Sequence, residues 1–198
     1  MQVVLLLLYP LNVHLGIVME LPVMQLFAIM ALAAGLLYKG LKRGDSLSWL
    51  IFLPVVLVSA GATYFDIAIY VLYVPPILVP LLIFSVFLKS LLPGQIPLVT
   101  DIGEQARGPL TEEMRHYTRQ VTMAWVLVLG LLTLEAGLLP WVASDMVWSL
   151  FTNVINYLVI ALLFVGEYVV RRVCFRDHDH PGFVQYLRIV IQTNVRKP

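Results

Sequence analysis

Basic side chains in this sequence occur only in every second gap between its apolar stretches, and that alternation constrains the chain more than any motif does. Six apolar stretches, at about 3–19, 23–38, 47–64, 67–88, 118–140 and 146–170, are separated by short polar segments. Lys39, Lys42 and Arg43 lie after the second; Lys89, Arg107, Arg115 and Arg119 lie after the fourth. Arg171, Arg172, Arg176, Arg188, Arg196 and Lys197 follow the sixth, which completes the 13 Lys and Arg residues of the chain. The intervening turns carry only acids: Glu20, Asp66 and Asp145. Lys and Arg are retained on the cytoplasmic face during membrane insertion. The expectation is an all-α, polytopic transmembrane bundle of about six spans in a bacterial inner membrane, with both termini cytoplasmic.

Composition supports the membrane rather than water as the solvent. Of 198 residues, 60% are hydrophobic and 13% charged, with a mean hydropathy of +0.88. So few charges cannot cover the surface of a water-soluble fold of this size. No segment has the basic density of a nucleic-acid-binding region. The single cysteine, Cys174, excludes an intrachain disulfide. Residues 1–19 lack a basic n-region and an Ala-x-Ala-like cleavage site, and are read as a retained span rather than a signal peptide. The whole chain, 1–198, is read as one integral membrane domain with a cytoplasmic tail at 171–198.

Local signals refine this outline. Ser46 or Ser48 is the expected N-cap of the third helix, after a cytoplasmic connection at 39–45. Pro75, Pro76 and Pro80 predict a kink in the fourth helix. The carbonyls they free need partners in lipid, so that helix is expected inside the bundle. Residues 89–118 form a cytoplasmic polar loop; within it, Pro97 argues for an extended piece over 96–102. Thr111 reads as the N-cap of a helix that runs without interruption into the fifth span and ends near Pro140-Trp141, with Glu112 and Glu113 in its first turn. Trp141, Trp148 and Tyr64 fall near external boundaries, and Tyr38, Tyr117 and Tyr168 near cytoplasmic ones, as interfacial belts do. In the tail, 183–191 has an amphipathic pattern.

The main polar constellation lies in the sixth span. Ser149, Asn153, Asn156 and Glu167 stand at offsets of 0, 4, 7 and 18, which fall within an arc of roughly 60° on a regular helix; Tyr157 is at its edge. One reading is interhelical glue; the other is a polar cleft for a headgroup or substrate. Glu167 is placed to pair with Arg171 four residues on, or to accept a proton or cationic group. Glu135 either reaches water at the external edge or is functional. His14 with Asn12 reads as a packed polar contact. The run His178-Asp179-His180 lacks the further ligands of a metal site, so neither a metal nor a cofactor is expected. Arg107, Arg115, Arg119, Arg171, Arg172 and Arg176 form a basic cytoplasmic face suited to anionic lipid or acidic partners. There is no G-x-x-x-x-G-K-[ST], no H-E-x-x-H and no G-x-S-x-G. No catalytic residue is assigned, and enzymatic activity is not expected. Self-association is left open.

Several short stretches carry a resemblance. They are Pro97-Leu98-Val99, Tyr117-Thr118-Arg119-Gln120-Val121-Thr122 with Ala124-Trp125, Ser149-Leu150-Phe151-Thr152-Asn153, Asn156-Tyr157, and Gly166-Glu167-Tyr168-Val169-Val170-Arg171-Arg172. Over about 67–176 the chain resembles a family of small multi-pass bacterial inner-membrane proteins of uncharacterised activity that accompany aryl-polyene or xanthomonadin-type pigment genes. Members are sometimes labelled ketosynthases. The triple-proline region departs from the family pattern, and the chain lacks a thiolase-type nucleophilic Cys with two catalytic His. The resemblance implies a non-catalytic accessory or scaffold role in making or handling a lipid-linked product, with membrane lipids and other membrane or acyl-carrier components as partners. The alternative is a small-solute or lipid transporter, or flippase component, using the polar stripe.

Overall fold

The computed structural model describes residues 1–174, and every regular element among them is helical. In chain order these are α1 (Gln2–Val18), α2 (Pro22–Leu36), α3 (Tyr38–Arg43), α4 (Ser46–Tyr64), α5 (Ala68–Leu72), α6 (Val74–Ser90), α7 (Leu98–Arg107), α8 (Glu112–Val142), α9 (Asp145–Leu150), a π-helical turn (Phe151–Ile155) and α10 (Asn156–Cys174). Arg176, the His178-Asp179-His180 run and the 183–191 pattern lie outside the described residues.

Four helical runs are long and apolar enough to cross a membrane: Ser46–Tyr64, Ala68–Ser90, Glu112–Val142 and Asp145–Cys174. The apolar helices α1 and α2 have 17 and 15 residues. At 1.5 Å per residue they reach about 25 and 22 Å, against a hydrocarbon core of about 30 Å. Leu57, Leu82, Leu127 and Leu162 each leave more than half of their surface uncovered. Apolar exposure on this scale is costly in water and ordinary in lipid. The chain has the build of a multi-pass membrane protein.

The chain clusters into two compact units, Met1–Leu78 with Leu134–Leu158, and Val79–Thr133 with the described residues from Val159 onward. In the first, α1 packs chiefly on α2. Their approach is close enough that a Cβ on Gly16 would sit 3.0 Å from the Met24 Cβ and 3.2 Å from the Gln25 backbone nitrogen. Small residues permit this backbone contact where lipid supplies no hydrophobic drive between helices. The core comprises Tyr9, Val13, Ala28, Ile29, Leu72 and Trp148. Trp148 is fully buried there, against the Tyr73 ring at 4.7 Å, so it is a core anchor and not the interfacial residue its position suggests.

Pro75 and Pro76 act at one break, and Pro80 lies inside α6. α5 ends at Leu72, and α6 begins at Val74 with Pro75 and Pro76 in its first turn, where missing N–H groups cost least. Residue 76 would have donated to the Leu72 carbonyl, and as proline it cannot. Tyr9 Oη donates to that carbonyl instead, at 3.2 Å, from α1. That hydroxyl meets one of the carbonyls that the prolines free. α6 contains no buried residue, contrary to the expectation of an interior position.

Other connections also differ from expectation. The connection at 39–45 is largely helical: α3 closes on Gly44, which has φ 70°. Asp45, not Ser46 or Ser48, caps α4, accepting from the Ser48 backbone N–H at 3.1 Å and from Ser48 Oγ at 2.8 Å. These bonds favour the charged form and hold the Asp45 carboxyl below its ordinary value. Glu20 and Asp66 both adopt positive φ, 54° and 56°. Each is the left-handed residue of a Schellman turn, with Leu21 donating to the Gly16 carbonyl and Ile67 to Ala62, both at 2.8 Å.

In the second unit, Val121, Trp125 and Leu129 of α8 pack with Phe84, Phe87 and Phe164. The Trp125 ring lies 4.7 Å from Phe164 and 5.7 Å from Phe87. Residues 98–107 form α7, not the extended piece expected after Pro97. Pro97 occupies the N-cap, where its own conformation is extended and no N–H is required. The first two amides of α7 find acceptors outside it: Leu98 N–H donates to Ser90 Oγ at 3.0 Å and Val99 N–H to Thr122 Oγ1 at 3.3 Å. Those side chains supply the cap that sequence inspection lacked. Thr111 caps α8 through the Met114 N–H at 3.4 Å, and α8 continues unbroken for 31 residues, ending at Val142.

Candidate functional site

The polar residues of the last span lie on a helix that is not uniform. Phe151–Ile155 forms a π turn, closed by the Asn156 N–H donating to the Phe151 carbonyl. One extra residue in a turn sets back everything after it by about 100°. Asn156 is therefore rotated away from Ser149 rather than aligned with it in one narrow arc. The contacts agree with this rotation. Ser149 Oγ lies 3.1 Å from His14 Nδ1 on α1, whereas Asn156 hydrogen-bonds the Glu135 carboxylate on α8.

In the first unit Ser149, Thr152, Asn153 and Asn156 are all buried, and Tyr157 is substantially exposed. Thr152 Oγ1 donates to the Trp148 carbonyl at 2.8 Å and accepts from Asn153 Nδ2 at 3.0 Å. Three polar atoms there are buried with no hydrogen-bond partner among the described residues: Trp148 Nε1, Asn153 Oδ1 and one Glu135 oxygen. Unpaired buried groups of this kind are costly, and a π turn often marks a functional position. Asn12, paired with His14 in the sequence reading, instead donates to the Leu8 carbonyl of its own helix at 2.7 Å.

Glu167 belongs to the second unit. It is buried, and its carboxylate lies 3.5 Å from Arg171 Nε, the expected pairing four residues on. Tyr117 Oη donates to its backbone carbonyl at 3.2 Å. Arg171 also stands over the Tyr168 ring, 6.0 Å from its centroid. Of the basic face, Arg172 is exposed; Arg115 forms an ion pair with Glu104; Arg119 is exposed on α8. Arg107 closes α7.

Sequence inspection assigned no role to Tyr9 or Thr152 and placed Trp148 at an external boundary. The available signals were a Tyr facing a proline-broken helix and a Thr beside an Asn within an apolar run. Among the described residues no group of three His, Cys, Asp or Glu side chains is arranged to hold a metal ion. Comparison with protein-family profiles, curated proteins and solved structures gives no match to this chain.

Proposed function

We propose that this chain is a six-span inner-membrane protein with both termini in the cytoplasm. Its role is that of a non-catalytic accessory or scaffold in the biosynthesis or handling of a lipid-linked, aryl-polyene-type product. The observation that carries the reading is the set of stretches behind the family resemblance. Two of them, 117–125 and 166–172, meet through Tyr117 and the Glu167 carbonyl. Alternation of basic and acidic gaps gives the orientation. On this reading α1 and α2 span with the bilayer thinned locally around them. Deleting the gene in its native host is expected to impair the lipid product, and an unchanged pigment and lipid profile would refute the role.

A second reading is a small-solute or lipid transporter working through the polar residues of the last span. It is favoured by the unpartnered Trp148 Nε1 and Asn153 Oδ1 beside the π turn. Asn156→Leu and Glu167→Leu separate the two readings. Lost transport at normal abundance supports the transporter; lost abundance supports interhelical glue.

A further inference from the structure

Beside the first turns of α8, the second unit carries an open cleft of about 300 Å3. Residues 95–97 and Thr100 form one wall; Glu112, Arg115, His116 and Arg119 form the other. Arg115 and Arg119 are one helical turn apart and share a face. The wall is braced on both sides. Glu104 from α7 holds the Arg115 guanidinium in an ion pair, and Thr100 Oγ1 lies 2.7 Å from Thr118 Oγ1, itself 3.1 Å from the Arg115 carbonyl. Arg119 has no ion pair among the described residues. Glu104 takes up the Arg115 charge and Glu112 is the one carboxylate in the lining, so the positive character of the cleft rests on Arg119, with polar contributions from Gln95 and His116. Ile96 and Pro97 add an apolar lip.

We propose that this cleft binds a phosphate monoester, with Arg119 and the outer N–H groups of Arg115 on the phosphate oxygens and the Ile96-Pro97 lip against the ester's carbon chain. The planar fork of arginine matches phosphate oxygens in pairs, and Arg119 supplies the uncompensated charge while Arg115 stays shared with Glu104. The ligand is either a lipid with a monoester headgroup or a soluble phosphate ester. The inference goes beyond the pathway reading, because the cleft is tested without reference to any product.

The test uses the full-length protein in phosphatidylcholine nanodiscs, with two arms. Glycerol 3-phosphate is titrated by calorimetry, and phosphatidic acid is added to the discs and its retention read by native mass spectrometry. Saturable binding is expected in at least one arm. Arg119→Gln should weaken it by about tenfold or more, Arg119→Glu should abolish it, and Arg119→Lys, which keeps the charge and loses the fork, should fall between wild type and Arg119→Gln. Arg43→Gln, outside the cleft, should leave it unchanged. Binding of phosphatidic acid alone identifies a lipid headgroup; binding of glycerol 3-phosphate alone identifies a soluble ester. Absence of binding in both arms overturns the proposal, as does binding indifferent to Arg119→Glu or weakened equally by Arg43→Gln. Arg119 is exposed, so its variants should fold, and unchanged thermal unfolding verifies this in each.

Discussion

Several buried polar groups in the first unit are met from other helices, whereas the Glu167 carboxylate in the second unit has Arg171 of its own helix among its partners. His14 of α1 reaches Ser149 at 3.1 Å, Tyr9 of α1 reaches the Leu72 carbonyl at 3.2 Å, and Asn156 reaches Glu135 of α8. Glu167 takes Arg171, one turn on, at 3.5 Å. A contact between helices fixes how they pack, so losing it disturbs tertiary structure. A contact along one helix adds local support and costs little when lost. The same chemistry therefore has unequal consequences in the two places, and substitutions should rank accordingly.

The largest effect is expected at Trp148. Trp148→Ala removes a fully buried ring and should cost about 3–5 kcal/mol in a reversible unfolding assay in detergent or bicelles. Trp148→Phe keeps an aromatic ring and removes the unpaired N–H, so its cost should stay below about 1.5 kcal/mol. Equal losses for the two variants would show that the N–H, and not the packing, matters. Next comes Tyr9→Phe, which strands the Leu72 carbonyl and should cost about 1–3 kcal/mol. Pro76→Ala restores a donor to that carbonyl, so in the Tyr9→Phe background it should recover part of the loss. A cycle with no coupling would break the account of the fourth span.

Glu167→Gln should cost less than Tyr9→Phe, because glutamine keeps the shape and an acceptor oxygen for Arg171 one turn on. A loss as large as that of Tyr9→Phe would erase the distinction between the two kinds of contact. The smallest effect concerns pH. Asp45 has its folded pKa lowered from 3.8 by the Ser48 bonds. Its contribution is therefore present above 3.8 and is lost as the pH falls through the lower folded value. Asp45→Asn, which keeps a capping oxygen, should flatten that part of the stability profile, as measured by thermal unfolding in acid.

The long apolar runs, the helix from Thr111 into the fifth span and the Glu167–Arg171 pair were legible because each depends on composition or on spacing within one segment. What escaped was set by distant partners. α7 forms because Ser90 and Thr122 receive its first amides, and neither is near Pro97 in a way that periodicity reveals. The Leu72 carbonyl finds its partner in a tyrosine of α1, 63 residues away. The narrow polar arc was drawn on a regular helix, and a π turn leaves no signature in apolar spacing. Trp148 sits at a position that suits an interface, yet Tyr73 and α1 enclose it.

The central claim is that these helices cross a bilayer with the basic gaps inside and the acidic turns outside. Single cysteines at positions 20, 66, 43 and 107, in a Cys174→Ala background, would be treated with a membrane-impermeant maleimide in intact cells and again after permeabilisation. The account predicts labelling of positions 20 and 66 in intact cells, and of 43 and 107 only once the membrane is opened. Labelling of position 43 or 107 in intact cells would contradict it.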